Sequence, residues 1–527
     1  MLRHVPCRRY LYTLHPPALA TSAYVPLHGP RVVYLERTEG GVPFEPSQPP
    51  RIEPPCQVTY LSPRMLALTF ADASELNTSL FIDGQVVPLP RQLVDVDVDG
   101  EHTPPLEFMN QALMAGRNTI GVFELASTSL RLAELQAAIE PRLKRTRATF
   151  ATLFRLYDPK TKRFHALRDS TPVGPHFLAL TSDEATTTLV DRIAAVPMDA
   201  YRPWELWLVR GSRDGIVFRV PHGIIDGMGC IQFLQRVLAD APCPSTIRPQ
   251  RTSTRHFTDV VDALGRLWDD VSRPAVPYLG FQGRRDGFGS LARFYAALTP
   301  ATEAPQTCLC RIPLTSFQTI ARRHSVTVSQ VLVAALGDAL RTLLLTNFDA
   351  ALVESLQLQV RLPVDARHGD VDRMQADLVA ICLPLHVEMV EANDRLRAVA
   401  RAGQSIQKDI AVRRWCRDAG LALVPRWLLG HVPVPPRGSW SSPMYASSVV
   451  GPAARLRIAG RPLDAFYFMS SDLDYRNAHM LEVVSVSYDG QMQLSLRTLL
   501  GRSLDLEHFQ DALVAAIDRL ASMKHDQ

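Results

Sequence analysis

The residues whose types and spacing best fit chemistry are His222-Gly-Ile-Ile-Asp226-Gly227. A neutral imidazole, with a reference pKa of ~6.5, is the natural base for taking a proton from a hydroxyl or amine near neutral pH. Gly223 lets a backbone approach a ligand closely, and the carboxylate four residues on sits where it can fix the loop. Among 15 histidines, an Asp at +4 followed by Gly arises by chance with a probability on the order of a few per cent. The pattern therefore needs its context to carry weight. The competing reading is a strand-end histidine making a structural hydrogen bond. Cys230, eight residues beyond His222, falls beside an apolar helix stripe and reads as a buried small hydrophobe rather than a nucleophile.

The flanking elements supply that context. Leu206–Arg210 and Ile216–Val220 are β-rich runs separated by Gly-Ser-Arg-Asp-Gly, in which Asp214-Gly215 is a hairpin signal. The second run delivers Pro221-His222 at its end. A glycine-bearing turn and a helix with Ile231, Leu234 and Leu238 on one stripe follow. Strand, loop and helix form a rigid mount that presents a side chain at a cleft.

Upstream, residues 1–55 are proline-rich and patternless and read as a disordered tail. Their first 35 residues lack Asp and Glu, as an organelle-targeting peptide would, but Pro16, Pro17, Pro26 and Pro30 break any helix. The runs Met65–Phe70 and Leu80–Val87 predict a helix or strand and its return, and Pro88–Met114 a surface insertion. Thr119–Leu125 predicts a strand, and Leu132, Leu135, Ile139 and Leu143 a helix. Residues 56–240 thus form an N-terminal lobe. Residues 241–305, dense in Pro, Gly and Arg, read as a crossover, and 306–527 as a second α/β lobe. There Thr315 with Gln318 and Thr327 with Gln330 have capping-box spacing, strands are expected at Leu356–Pro363 and Val379–Val387, and Asp489-Gly490 marks a hairpin. A final amphipathic helix uses Phe509, Leu513, Ile517 and Leu520.

A net charge of +4 from 57 basic and 53 acidic residues gives no nucleic-acid footprint. Eight scattered cysteines show no zinc-binding spacing and suit a reducing compartment. No run reaches the ~18 uninterrupted apolar residues of a membrane span, so a cytoplasmic or peripheral-membrane location is expected. Arg413-Arg-Trp-Cys-Arg417 and Pro425-Arg-Trp-Leu-Leu429 mix cations with large apolar groups, as a membrane-contacting face or a core helix with snorkelling arginines would.

Four segments in order resemble the bacterial and plant wax ester synthase/diacylglycerol acyltransferases. Pro203-Trp-Glu-Leu-Trp-Leu-Val209 with Pro-His-Gly-Ile-Ile-Asp-Gly is similar to that family's Pro-Leu-Trp segment and His-His-x-x-x-Asp-Gly motif. Thr327-Val-Ser-Gln330 resembles its Thr-Leu-Asn-Asp segment, Leu362-Pro-Val-Asp-Ala-Arg367 its Val-Pro-Val-Ser-x-Arg strand, and Ser447-Ser-Val-Val-Gly-Pro452 its Ser-Asn-Val-Pro-Gly-Pro loop. Co-occurrence in order is far more specific than any one motif. The resemblance implies an α/β fold of two chloramphenicol acetyltransferase-like lobes with an active-site tunnel between them, shared with peptide-synthesis condensation domains. It implies an acyl-CoA-dependent O-acyltransferase with His222 as general base, acyl-CoA as substrate, a lipid alcohol or diacylglycerol as acceptor, and no cofactor or metal. Asp226 and Gly227 would brace the motif loop, Arg367 is the candidate arginine partner of Asp226, and Ser448 and Gly451 lie in a loop that would serve the oxyanion or the acceptor.

The chain departs from the family pattern at Pro221 (His in the family), Ser448 (Asn), Val450 (Pro) and Gln375-Ala376 (Gly-Asn). These departures bear on acceptor choice and leave two rivals. One is a condensation-type enzyme acting on a polyketide alcohol or amine. The other is an inactive acyl- or lipid-binding relative.

Overall fold

The computed structural model describes chiefly residues 118–241, 305–365, 378–404, 444–470, 481–498 and 504–522, with short gaps, and the strand segments named below between residues 12 and 88. The chain forms two units. The first takes residues 1–243, 374–376 and 456–465; the second takes 244–373, 377–455 and 466–527.

The first unit begins with strands β1 (Tyr12–Leu14), β2 (Arg31–Arg37), β3 (Ile52–Glu53), β4 (Gln57–Ser62), β5 (Met65–Phe70), β6 (Ser79–Ile82) and β7 (Gln85–Pro88). They build an antiparallel sheet in the order β1-β2-β5-β4 and a smaller one in the order β3-β6-β7. Val33, Leu35, Leu66 and Leu68 are buried together. The expected tail over 1–55 therefore does not hold at Arg31–Arg37, where Val32, Val33, Tyr34 and Leu35 are core residues. Proline-rich flanks hid a short strand whose partners lie elsewhere.

Next come β8 (Asn118–Leu125), α1 (Leu132–Arg145), β9 (Arg155–Asp158), β10 (Arg163–Ala166), β11 (Phe177–Thr181), α2 (Thr186–Ala195), β12 (Glu205–Arg210), β13 (Asp214–Pro221) and α3 (Gly227–Phe233). Helix α1 buries Leu135, Ile139 and Leu143, as its spacing predicts. The β12–β13 hairpin is present, but Asp214 and Gly215 belong to strand β13, where they pair with Arg210 and Val209. The connection is 211–213. It carries a glycine because a Cβ at 211 would stand 2.7 Å from the Glu184 carbonyl oxygen.

The second unit contains β14 (Gln306–Pro313), α4 (Leu314–Arg323), α5 (Val328–Asn347), α6 (Ala350–Ser355), β15 (Gln359–Asp365), β16 (Leu378–Pro384) and β17 (Met444–Val450). Strands β18 (Arg457–Ile458) and β19 (Arg461–Ser470) come next in the chain, residues 456–465 of them in the first unit, and the second unit goes on with β20 (Leu481–Tyr488), β21 (Gln491–Thr498) and α7 (Leu506–Ser522). Its six-stranded sheet runs β14-β21-β20-β17-β15-β16. The Thr327 capping box forms as expected: Thr327 Oγ1 accepts from the Gln330 amide at 3.2 Å, and Gln330 Oε1 accepts from the Thr327 amide at 2.8 Å. The box expected at Thr315 does not form, because α4 starts directly after strand residue Pro313 and has no side-chain cap. Asp489 (φ 47°) and Gly490 (φ 74°) take the left-handed conformations that match a two-residue hairpin to strand twist.

Among the described residues, α5 alone is long and apolar enough to cross a membrane, and 78% of its 18-residue window is buried inside the protein. It even carries a buried acid: Asp338 accepts from Arg395 Nη1 and Arg519 Nη2, both at 2.6 Å.

The single C-terminal lobe expected over 306–527 is interrupted. Residues 456–465 belong to the first unit, whose six-stranded sheet runs β11-β12-β13-β8-β19-β18. Strand propensity does not say which sheet a strand will join, so this return had no local signal.

Candidate active site

Strand β13 is paired on both sides, with β12 from Asp214↔Arg210 to Arg219↔Glu205 and with β8 from Gly215↔Glu124 to Pro221↔Asn118. All eight of its residues are buried. Pro221 has no amide proton, so it suits the end of a ladder. Its carbonyl accepts from the Ile224 amide at 2.9 Å and closes the turn that His222 opens. His222 is half-buried, with Nδ1 shut off from solvent.

Asp226 ends that turn and starts α3. Its backbone is extended, its Oδ1 accepts from the Gly229 amide at 2.9 Å, and its carbonyl accepts from the Cys230 amide at 2.8 Å. An N-cap carboxylate satisfies an orphan amide and complements the positive end of the helix. Asp226 thus caps the helix that follows it. Gly227 is the first residue of α3 and is half-buried. Thr119 of β8 adds a long contact, its Oγ1 3.4 Å from the Ile225 carbonyl oxygen. Arg367 lies outside the described residues, as do Arg413–Arg417 (Arg414 excepted) and Pro425–Leu429.

Helix α3 rests on an aromatic stack. Phe233 lies on Phe218 of β13, with ring centroids 4.4 Å apart and 16° between planes, and meets the edge of Phe150 at 5.6 Å. Cys230 is 1% exposed; burial, and then the charge of Asp226, push its thiol well above the ordinary range. Such a thiol is inert, in line with the sequence reading.

The other face of β12 and β13 carries charges with no solvent access. Glu205 Oε1 accepts from Tyr34 Oη at 3.0 Å, and Oε2 accepts from Trp207 Nε1 at 3.1 Å and Arg219 Nη2 at 3.2 Å. Arg219 also donates to the carbonyls of Ile193 in the last turn of α2 and of Val196 and Pro197 just beyond it. Arg202 lies 3.6 Å from Glu205 and over the Tyr34 ring. Burial, and then Glu205, raise the Tyr34 phenol well above its usual pKa. The sequence reading missed this cluster. Its signal was there: one Glu and one Arg set in otherwise apolar strands must be paired if those strands are buried.

Ser448 and Gly451 were expected in a loop. Ser447–Val450 instead continue β17, which pairs in parallel with β20, Ser448 opposite Ser485. Ser448 is exposed and Gly451 is buried. A Cβ at 451 would stand 2.4 Å from the Ser487 carbonyl oxygen and 2.9 Å from Phe466 Cζ, so only glycine fits there without movement.

Two family models match this chain in sequence. The wax ester synthase/diacylglycerol acyltransferase catalytic domain covers residues 181–368, and the WS/DGAT C-terminal domain covers 377–521. The chain belongs to the wax ester synthase/diacylglycerol acyltransferase family. His222 and Asp226 fall within the first match, Ser448 and Gly451 within the second. Among curated relatives, "Putative diacyglycerol O-acyltransferase Rv0895" of Mycobacterium tuberculosis is 25% identical over 323 residues, covering 54% of this chain and 62% of that protein. "Probable diacyglycerol O-acyltransferase tgs1" of the same organism is 24% identical over 303 residues, covering 54% and 64%. The chain thus spans less than two thirds of either relative. The wax ester synthase/diacylglycerol acyltransferase from Marinobacter aquaeolei VT8 shares the fold at a TM-score of 0.50 and 17% identity, over 80% of this chain and 100% of that one. The first condensation domain of the calcium-dependent antibiotic synthetase matches at 0.47 and 16%, over 80% and 97%.

Proposed function

We propose that the chain is an acyl-CoA-dependent O-acyltransferase that moves a fatty acyl group onto a long-chain alcohol or diacylglycerol, with His222 as general base. One observation carries the reading: an imidazole stands at the end of a fully buried central strand, within the segment matched by the family's catalytic-domain model. With Nδ1 buried, Nε2 is the ring nitrogen left to meet the substrate. It takes the acceptor's hydroxyl proton as that oxygen attacks the thioester carbonyl. The tetrahedral intermediate then expels coenzyme A as a thiolate, and the imidazolium returns the proton to the sulfur. The thioester supplies its own leaving group, so the reaction needs no acyl-enzyme. The mycobacterial relatives named as diacyglycerol O-acyltransferases support diacylglycerol as one acceptor to offer.

The test is transfer from radiolabelled palmitoyl-CoA to hexadecanol and to diacylglycerol, offered separately, by the wild type and His222→Ala. Ester formed by the wild type and lost in the folded variant supports the assignment and ranks the acceptors. A folded wild type that binds palmitoyl-CoA and esterifies neither acceptor removes it.

A further inference from the structure

Helix α3 does not end as an α-helix. Residues Leu234–Leu238 form a π-turn, and the Ala239 amide reaches back to the Leu234 carbonyl at 2.8 Å. A π-turn holds one residue more than an α-turn and is frequent at functional sites. Carbonyls left over at a helix end need donors. Here a single guanidinium serves them: Arg142 Nη1, from the last turn of α1, donates to the carbonyls of Val237 at 3.3 Å and of Leu238 and Ala239 at 2.9 Å.

The other nitrogen of Arg142 continues the connection. Nη2 lies 2.8 Å from Asp240 Oδ1. The same carboxylate takes two successive backbone amides from the turn between β18 and β19, Ala459 to Oδ1 at 2.9 Å and Gly460 to Oδ2 at 2.7 Å. Both residues have left-handed backbones, φ 47° and 76°, which turn consecutive amides toward one anion. The Asp240 amide donates to the Arg457 carbonyl at 2.8 Å, and Ala239 bridges to Ile458. Arg142 and Asp240 are 18% and 27% exposed, so solvent screens this pair only partly.

We propose that Arg142 and Asp240 are positioning residues for His222. They bolt the far end of the motif helix to the returning 456–465 segment and so hold the π-turn that sets the helix's register. Asp226 fixes the near end of the helix and Asp240 the far end. Without the far anchor the π-turn anneals to α-helix, and one residue of slack passes along the helix as an axial shift of about 1.5 Å and a rotation of about 100°. That movement reaches the loop carrying His222, and misplacement on the ångström scale costs about a hundred-fold in rate. The catalytic part of this inference rests on the acyltransferase reading above; the structural part does not.

The experiment uses the full chain with Asp240→Ala and Asp240→Asn, the second retaining one acceptor oxygen for a backbone amide in case the first does not fold. Amide hydrogen exchange over residues 227–239 and 456–465 is measured beside kcat and KM for palmitoyl-CoA. The expected result is faster exchange in both segments and a kcat lowered about ten- to a hundred-fold with KM little changed, Asp240→Asn being the milder. Faster exchange confined to 456–465, or an unchanged kcat in a loosened helix, overturns the positioning role and leaves a plain anchor. Unchanged exchange in both segments overturns the bolt itself. Should the wild type transfer no acyl group, the functional reading falls, and exchange over 227–239 decides the bolt by itself.

Discussion

Glu205 and Arg219 face each other across the β12–β13 hairpin, Oε2 to Nη2 at 3.2 Å, and neither side chain touches solvent. A buried ion pair repays its desolvation through close geometry and further hydrogen bonds to both partners. Here Tyr34 and Trp207 add donors to the carboxylate, and the carbonyls of Ile193, Val196 and Pro197 at the end of α2 take the two terminal nitrogens of the guanidinium, while its buried Nε has no partner among the described residues. Glu205→Ala leaves the buried Arg219 without its carboxylate. The expected cost is about 3–5 kcal/mol, against about 1 kcal/mol for Tyr34→Phe, which removes one donor. Urea unfolding curves of the two variants check the ranking. A Glu205→Ala curve matching wild type would show that solvent reaches the cluster.

How much of this was legible follows the range of the interactions. The cap at Thr327 and the Asp489-Gly490 turn are decided by neighbours within a few residues and read directly from the chain; the β12–β13 hairpin was legible as a hairpin, but its turn lies at 211–213, where Glu184 from outside the hairpin demands a glycine. Tyr34 binds a carboxylate 171 residues away, and its short β-rich run Val32–Leu35 is hidden by proline-rich flanks. Residues 456–465 join the first unit's sheet beside β8, and their turn is tied to Asp240 some 220 residues upstream; a two-residue strand such as β18 has no periodicity to read. Ser448 matches a loop position in the family pattern, whereas Val449 and the valines of β20 extend the strand through it. The N-cap that Asp226 makes to Gly229 is local, since it needs only the helix that follows.

His176 gives the acid limb of stability a definite slope. It is buried, stacks on Trp204 with centroids 4.4 Å apart, and donates through Nδ1 to the Trp204 carbonyl at 2.9 Å. Burial pushes its pKa down to about 4, so the folded protein keeps it neutral where the unfolded chain, near ~6.5, takes up a proton. The stability from neutral His176 is fully present above the unfolded pKa, falls as pH drops below it, and is lost once the folded pKa is passed. The change is on the order of 3 kcal/mol between pH 7 and pH 4. His176→Phe keeps the stack and removes the proton, so its unfolding free energy should vary less with pH over that window. An identical slope in the variant would assign the acid sensitivity to other groups.

The β20–β21 turn requires a left-handed backbone at two consecutive positions. A Cβ added at Gly490, where φ is 74°, would meet nothing within 4 Å, so the obstacle to a side chain there is conformational and not crowding by neighbours. Gly490→Ala should cost about 1–2 kcal/mol. Asp489→Asn should be close to neutral, since Asn tolerates the same region. Thermal unfolding of the two variants separates them; equal losses would mean that the turn changes type.

Ser448 and Gly451 sit three residues apart and should respond to substitution in opposite ways. Ser448 is exposed on β17, so Ser448→Ala should leave stability within about 0.5 kcal/mol. Gly451 is wedged against the Ser487 carbonyl and the Phe466 ring, and its amide donates to Ser487 Oγ at 3.3 Å. Gly451→Ala forces β17 away from β20 and should destabilise by about 1–3 kcal/mol. Activity completes the comparison. If the Ser448 hydroxyl steadies the oxyanion of the proposed transfer, Ser448→Ala lowers kcat by about 10²–10³ with no loss of fold. Full activity in that variant removes the hydroxyl from the mechanism and leaves backbone amides to hold the developing charge.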